Sequence, residues 1–210
     1  VASIESLTAF QLDVMKEIGN IGSGNAATAL SKMLNKKIDM HVPSVRVVDF
    51  EEMMNLVGGP EEIITAVFLR IEGEVPGQMF FILSPEEAES FVKQLTGIDD
   101  FSVIDHPDNP MALSALQEIG NILAGSYLSA LSDFIGGSLL PSIPLLTIDM
   151  AGAILAEGLL EISQVSDHAM VIDTLIDGHE DEGDPIKGHF FLLPDPDSFD
   201  HLFDKLGVND

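Results

Sequence analysis

Residues 16–30 read KEIGNIGSGNAATAL, with three glycines inside six positions and two asparagines beside them. Glycine-rich turns of this kind can wrap a phosphate with backbone N–H groups. The spacing here is GxxGxG, which is not the dinucleotide fingerprint. No strand pattern precedes it and no Gly-Lys-Ser/Thr follows it. What remains are Glu17 and Asn20, a carboxylate and a carboxamide three residues apart. On a helix that spacing makes them neighbours on one face.

The pair occurs twice. Leu12 to Ile21 aligns with Leu113 to Ile122 at an offset of 101, placing Glu118 and Asn121 beneath Glu17 and Asn20. Gly24 matches Gly125, and Pro43 matches Pro144, at the same offset. Gly22 is replaced by Leu123, so only two glycine positions are common to both copies. Further on, Gly77 and Pro85 match Gly188 and Pro196 at an offset of 111, so the second copy carries about ten extra residues. A repeat near 100 residues implies two similar halves rather than a solenoid. The expected halves are residues 1–104 and 110–210, joined at the Pro- and Asp-rich stretch 105–110.

The elements that must hold these residues read alike in both halves. A long helix opens each. The first has Thr8 as N-cap with Gln11 three residues on, and the second has Asn109 with Pro110 in the first turn. Asn35 and Gly136 are the expected stops. Apolar runs predict strands over 38–48, 64–72 and 77–83, then 143–149, 168–176 and 187–193. Helix starts at Ser84-Pro85 and Asp195-Pro196 close the halves. Segments 49–57 and 149–162 are read as short helices. The fold class is α+β: a pseudo-two-fold duplicated domain with two long motif-bearing helices packed on a shared antiparallel sheet.

At 100° per residue, Leu12, Val14, Met15, Ile18, Ile21, Ala26, Ala29, Leu30 and Met33 are assigned to the face that packs on the sheet. Asp13, Glu17, Asn20, Gly24, Ala27, Thr28 and Ser31 are assigned to an exposed stripe. Ser114, Glu118, Asn121, Gly125, Ser129 and Ser132 repeat it. A helix-interior glycine costs roughly 1 kcal/mol relative to alanine. Gly19 and Gly120, on the buried side, are expected to allow close packing. Gly24 and Gly125 are expected to let a partner approach. A low-relief polar stripe of this kind suits docking another protein.

Composition narrows the function classes. The formal charge is −26, from 35 acidic against 9 basic side chains. Such a surface repels nucleic acid and anionic membranes, and its self-repulsion suggests a salt-adapted cytoplasm, with an ordinary acidic protein as the alternative. The opening segment shows no leader pattern, no apolar run is long enough to span a bilayer, and cysteine is absent. The expectation is a cytoplasmic protein with no membrane insertion and no cofactor or metal of its own. The stretch 178–184 has one histidine and four carboxylates, with His189 beyond. It lacks calcium-loop spacing and reads as a solvated connection, with a metal site as the alternative.

At its motif positions the chain resembles the CheC family of chemotaxis phosphatases. The family pattern is Asp or Ser, three residues, Glu, two residues, Asn, twenty-two residues, Pro. Asp13, Glu17, Asn20 and Pro43 fit it, and Ser114, Glu118, Asn121 and Pro144 fit it again. One-motif relatives of the CheX type work as dimers; two motifs in one chain imply a monomer. The resemblance implies hydrolysis of the aspartyl phosphate on the response regulator CheY. Asn20 and Asn121 would orient the attacking water, and Glu17 and Glu118 would pair with the regulator's lysine. Asp13 and Ser114 would support docking or packing, and Pro43 and Pro144 would shape the chain leading into a strand. Mg²⁺ would sit on the regulator. The resemblance also implies a second partner, the deamidase CheD, with segment 149–156 as the candidate surface or else a core element. The competing reading is a non-catalytic docking or flagellar-switch component, like the FliM middle domain.

Overall fold

The computed structural model describes residues 7–159, 168–178, 184–195 and 198–208. Helix α1 runs Ala9–Leu34, followed by β1 (Asp39–His41), β2 (Val45–Asp49), α2 (Phe50–Leu56), β3 (Ile63–Gly73), β4 (Gly77–Leu83) and α3 (Pro85–Thr96). The same order then recurs as α4 (Pro110–Ile135), β5 (Leu139–Pro141), β6 (Leu145–Met150), α5 (Ala151–Leu159), β7 (His168–Asp177), β8 (Ile186–Pro194) and α6 (Ser198–Leu206).

The long helices start and stop where their cap chemistry dictates. Thr8 and Gln11 form a full capping box, and Asn109 accepts from the N–H groups of Met111 and Ala112. Asn35 and Gly136 end the helices in the left-handed conformation, Asn35 at φ 49° and Gly136 at φ 60°. Ser84 caps α3, with Pro85 opening it. Two strand expectations change. The run 38–48 is two strands, because Val42-Pro43-Ser44 breaks the ladder, and 143–149 is preceded by β5, which the pattern did not reveal. The expected helix 149–162 is α5 as far as Leu159, and the remainder lies outside the described residues. The expected start at Asp195-Pro196 likewise leads to α6, with Pro196 itself outside them.

The eight strands among the described residues form one antiparallel sheet in the order β1-β7-β8-β4-β3-β5, with β2 also on β7 and β6 also on β3. The hairpins β3–β4 and β7–β8 meet at the centre. Strands β1 and β2 pair with the later hairpin, and β5 and β6 pair with the earlier one. The chain thus exchanges its strands across the middle, and both neighbours of each hairpin come from the other side of residue 105. Two serines stitch the exchange. The Ser44 carbonyl accepts from the Asp173 N–H, and the Arg70 carbonyl accepts from the Ser142 N–H.

One face of the sheet carries α1, α3, α4 and α6 over a large core that includes Met15, Leu30, Phe91, Leu123, Phe190 and Phe203. The other face carries α2 and α5 over a smaller one with Met53, Phe80, Leu155 and Phe191. The alternation along β3 and β7 serves both faces, so these strands read as nearly continuous apolar runs.

Candidate active site

Glu17 lies on the outward line of α1, and Asn20 sits half-buried beside it. Glu118 and Asn121 are both exposed on α4. Among the described residues neither glutamate has an ion-pair or hydrogen-bond partner. Asp13 and Ser114, one turn earlier, are exposed. At Gly24 and Gly125 a Cβ would meet nothing within 4 Å, so both leave open space above the helix. Pro43 is exposed in the β1–β2 connection, while Pro144 is buried in the β5–β6 connection.

The two sites differ in one hydrogen bond. The Asn20 Oδ1 accepts the backbone N–H of Val42 at 2.9 Å. This ties the motif side chain to the connection that leads into β2. In the other half the connection is held by a different side chain: Gln117 Nε2 donates to the Pro144 carbonyl at 3.0 Å. Asn121 has no hydrogen bond among the described residues, and Ile143, at the position of Val42, is 82% exposed. Asn20 is therefore held with its NH₂ group and one oxygen lone pair remaining, whereas Asn121 keeps its whole amide available.

Several stripe assignments change. Ile21 is exposed, because it lies four residues after Glu17 on the same face, and Met33 is exposed in the last turn. Ala27 is buried. Ser31 and Ser132 are half-buried, since their hydroxyls accept the N–H groups of Ile38 and Leu139, the residues that lead into β1 and start β5. The wheel placed α1 on the sheet alone, but α1 also packs on α4, and that second contact widens its buried arc. Tyr127 of α4 sits at the crossing, its ring over Gly22. Its hydroxyl lies 2.6 Å from Ser23 Oγ and 2.9 Å from Thr174 Oγ1, joining α1, α4 and β7. Burial pushes its phenol up, against the two hydroxyl contacts. It is the only tyrosine in the sequence, and its backbone and ring lie where a Cβ at Gly22 would stand.

A carboxylate without a counter-ion beside an amide with unfilled hydrogen-bonding capacity is incomplete alone. It can offer a charge to a cation and hold a polar molecule, with the missing groups supplied by whatever covers the helix. Among the described residues no group of three or more acidic or imidazole side chains is placed to hold a metal. The acidic stretch 179–183 lies outside them. His189, read with that stretch, instead pairs with Asp173, Nδ1 to Oδ1 at 2.8 Å. Asp173 also accepts from Ser44 Oγ and lies 3.4 Å from an Arg46 nitrogen. Burial pushes the Asp173 carboxyl up, but His189, Ser44 and Arg46 outweigh it and hold the carboxyl at about 2.

The sequence pattern of the CheC-like family matches residues 10–47, from α1 into β2, and 111–141, from α4 to the end of β5. Over 201 residues the chain is 46% identical to the CheY-P phosphatase CheC of Bacillus subtilis (strain 168), covering 95% of each. The chain belongs to the CheC family. Among solved structures, this CheC-family chain superposes on Thermotoga maritima FliY with a TM-score of 0.71 at 22% identity, covering 98% of this chain and all of that one. The FliM middle domain from H. pylori follows with a TM-score of 0.65 at 15% identity, covering 95% and 99%. These two likenesses establish the fold of the CheC-like domain and are silent on its chemistry. No helix among the described residues is long and apolar enough to cross a membrane.

Proposed function

We propose that this CheC-family protein hydrolyses the aspartyl phosphate of a CheY-type response regulator, working as a monomer that carries both sites. The observation that supports this most is the outward presentation of Glu17 with Asn20 and of Glu118 with Asn121 on matching helices, in a chain 46% identical to a CheY-P phosphatase. The regulator supplies the phosphoaspartate, its Mg²⁺ and a lysine. Glu17 or Glu118, each without a cation of its own, takes that lysine and seats the helix over the phosphoryl group. Pairing is required, because so acidic a surface otherwise repels a phosphate. Asn20 or Asn121 accepts a hydrogen bond from the attacking water through its amide oxygen and holds it in line. Aligning the nucleophile is a major part of phosphoryl-transfer catalysis. The protein needs no metal or cofactor of its own for this role.

Asp13 and Ser114 flank the docking line, and Gly24 and Gly125 give the clearance that close approach requires. Pro43 and Pro144 fix the connections beside the two sites, one residue from Val42 in the first half. A CheD-like deamidase is the second partner of this reading. Its candidate surface is the exposed part of segment 149–156: Asp149, Met150, Ala153 and Ala156. Ala151, Ile154 and Leu155 of the same segment are buried in the smaller core and serve the fold instead.

The test is phosphate release from a phosphorylated CheY, with wild type, Asn20→Ala, Asn121→Ala and the double variant. Acceleration by wild type, lost by about 10²-fold or more in the double variant, is expected. Absence of acceleration by wild type overturns the reading and leaves the non-catalytic docking role.

A further inference from the structure

The outward line of each motif helix carries large apolar side chains as well as the glutamate. Phe10 is 64% exposed and Met111 is 68% exposed, and the two hold the same repeat position at the offset of 101. Each lies seven residues before its glutamate, which on a helix is two turns along the same line and about 10.5 Å away. Ile21, four residues after Glu17, is 39% exposed, and Ile122 is half-buried at the matching place. The rest of the line is small or polar: Asp13, Gly24 and Thr28, then Ser114, Gly125 and Ser129.

Single exposed apolar residues are ordinary on a protein surface. Two at one repeat position, on the line that bears an unpaired carboxylate in each half, are a pattern. A standard interface of about 800 Å² per partner has a radius of roughly 16 Å. Any globular partner centred on Glu17 and Asn20 therefore covers Phe10 as well. Aromatic residues and methionine are the types enriched in such contacts, where burial of their apolar area favours binding while the glutamate fixes register.

We propose that Phe10 and Met111 are the apolar anchors of the two docking sites, each inserting against the response regulator about 10 Å from its phosphoryl group. This rests on the phosphatase reading above. It requires that the regulator present an apolar patch at that distance, and so it makes Phe10 and Met111 determinants of which regulators are accepted. They act on binding and touch none of the reacting atoms.

The test is steady-state phosphate release from phosphorylated CheY with wild type, F10S/M111S and the conservative F10L/M111L. F10S placed in the N121A protein and M111S in the N20A protein isolate each site. Thermal melting is measured alongside, and no loss is expected for side chains this exposed. The expected result is a KM raised about tenfold in F10S/M111S with kcat within about twofold of wild type, and a KM near wild type in F10L/M111L. If wild type is active and F10S/M111S keeps its KM, or loses kcat alone, the anchors are overturned while the phosphatase reading stands. If wild type is inactive, both fall.

Discussion

The carboxamide oxygen of Asn20 accepts the N–H of Val42, and Asn121 makes no corresponding bond. Val42 is 2% exposed, so its N–H has no access to water as a substitute. Removing the acceptor leaves a buried donor unpaired, at a cost of about 1–3 kcal/mol. Asn20→Ala is therefore expected to lower the melting temperature by about 2–4 °C for each kcal/mol lost. Asn121→Ala is expected to leave it unchanged. Asn20→Asp keeps an acceptor and should melt close to wild type while losing the amide donor. Urea and thermal melts of the three variants decide this. Equal destabilisation by Asn20→Ala and Asn121→Ala would show that the hydrogen bond does not set the two halves apart.

The three glycines of KEIGNIGSGNAATAL face three different environments, and alanine at each should separate them. At Gly22 a Cβ would lie 2.9 Å from the Tyr127 Cα, a backbone atom that can move only if the helices part. Gly22→Ala is expected to cost about 1–3 kcal/mol, as overpacking does. At Gly19 the nearest atom is a Val42 methyl at 3.2 Å, which can yield, so the loss should be smaller. At Gly24 there is open space, and Gly24→Ala should stabilise the helix by roughly 1 kcal/mol. Chemical denaturation of the three variants gives the order. A destabilised Gly24→Ala would contradict it.

Tyr127→Phe tests the crossing from the other side. Ser23 and Thr174 are 0% and 1% exposed, and each hydroxyl has Tyr127 as its partner among the described residues. Removing the phenol oxygen strands both, with an expected cost of about 1–3 kcal/mol. Adding Ser23→Ala should cost less in the Tyr127→Phe background than in wild type, because the serine there has nothing left to bond. A double-mutant cycle measures that coupling, and additive losses would rule out the network.

The cap residues, the duplication and the motif positions were legible because each depends on local chemistry or on simple identity at one offset. Thr8, Gln11, Asn109 and Gly136 act within a turn of where they stand. The wheel failed at Ala27, Ser31 and Ser132 because burial there is set by α4 and by the strands that follow, contacts with no local signature, whereas Ile21, four residues after Glu17, belonged on the outward face by the helical period itself. β5 is three residues long and alternation needs more than that to register. The exchange of strands across the middle left no trace in the sequence, since β2 would show the same pattern on either hairpin.

Asp173 gives the fold an acid-sensitive stitch. Its carboxyl, held at about 2 against the usual value near 3.8, is bonded by Ser44 across the exchanged strands and by His189 within the β7–β8 hairpin. A lowered folded pKa contributes stability that is present above the unfolded value and is lost as pH falls through the folded one. The window is therefore roughly pH 4 down to about 2, and the contribution is of order 2 kcal/mol. Asp173→Asn should be less stable than wild type at pH 6 and should approach it by pH 2.5. Urea melts across that range check the sign. A gap that widens towards acid would refute it.

The acidic excess predicts the response to salt. With 35 carboxylates and 9 cationic side chains, most carboxylates face other negative charges with no lysine or arginine to share between them. Folding draws these charges together, so their repulsion weighs on the compact state more than on the extended chain. The screening length falls from about 10 Å at 0.1 M salt to about 3 Å at 1 M, which is shorter than most spacings between surface carboxylates. The melting temperature is expected to rise by several degrees from low salt to 1 M KCl and then to flatten once screening is complete. The ion pairs of Lys37 with Asp39 and Lys93 with Asp99 are exposed on both sides and contribute too little to reverse this. A melting series in KCl provides the measurement. Stability that stays flat or falls with salt would show that self-repulsion is not what limits this fold.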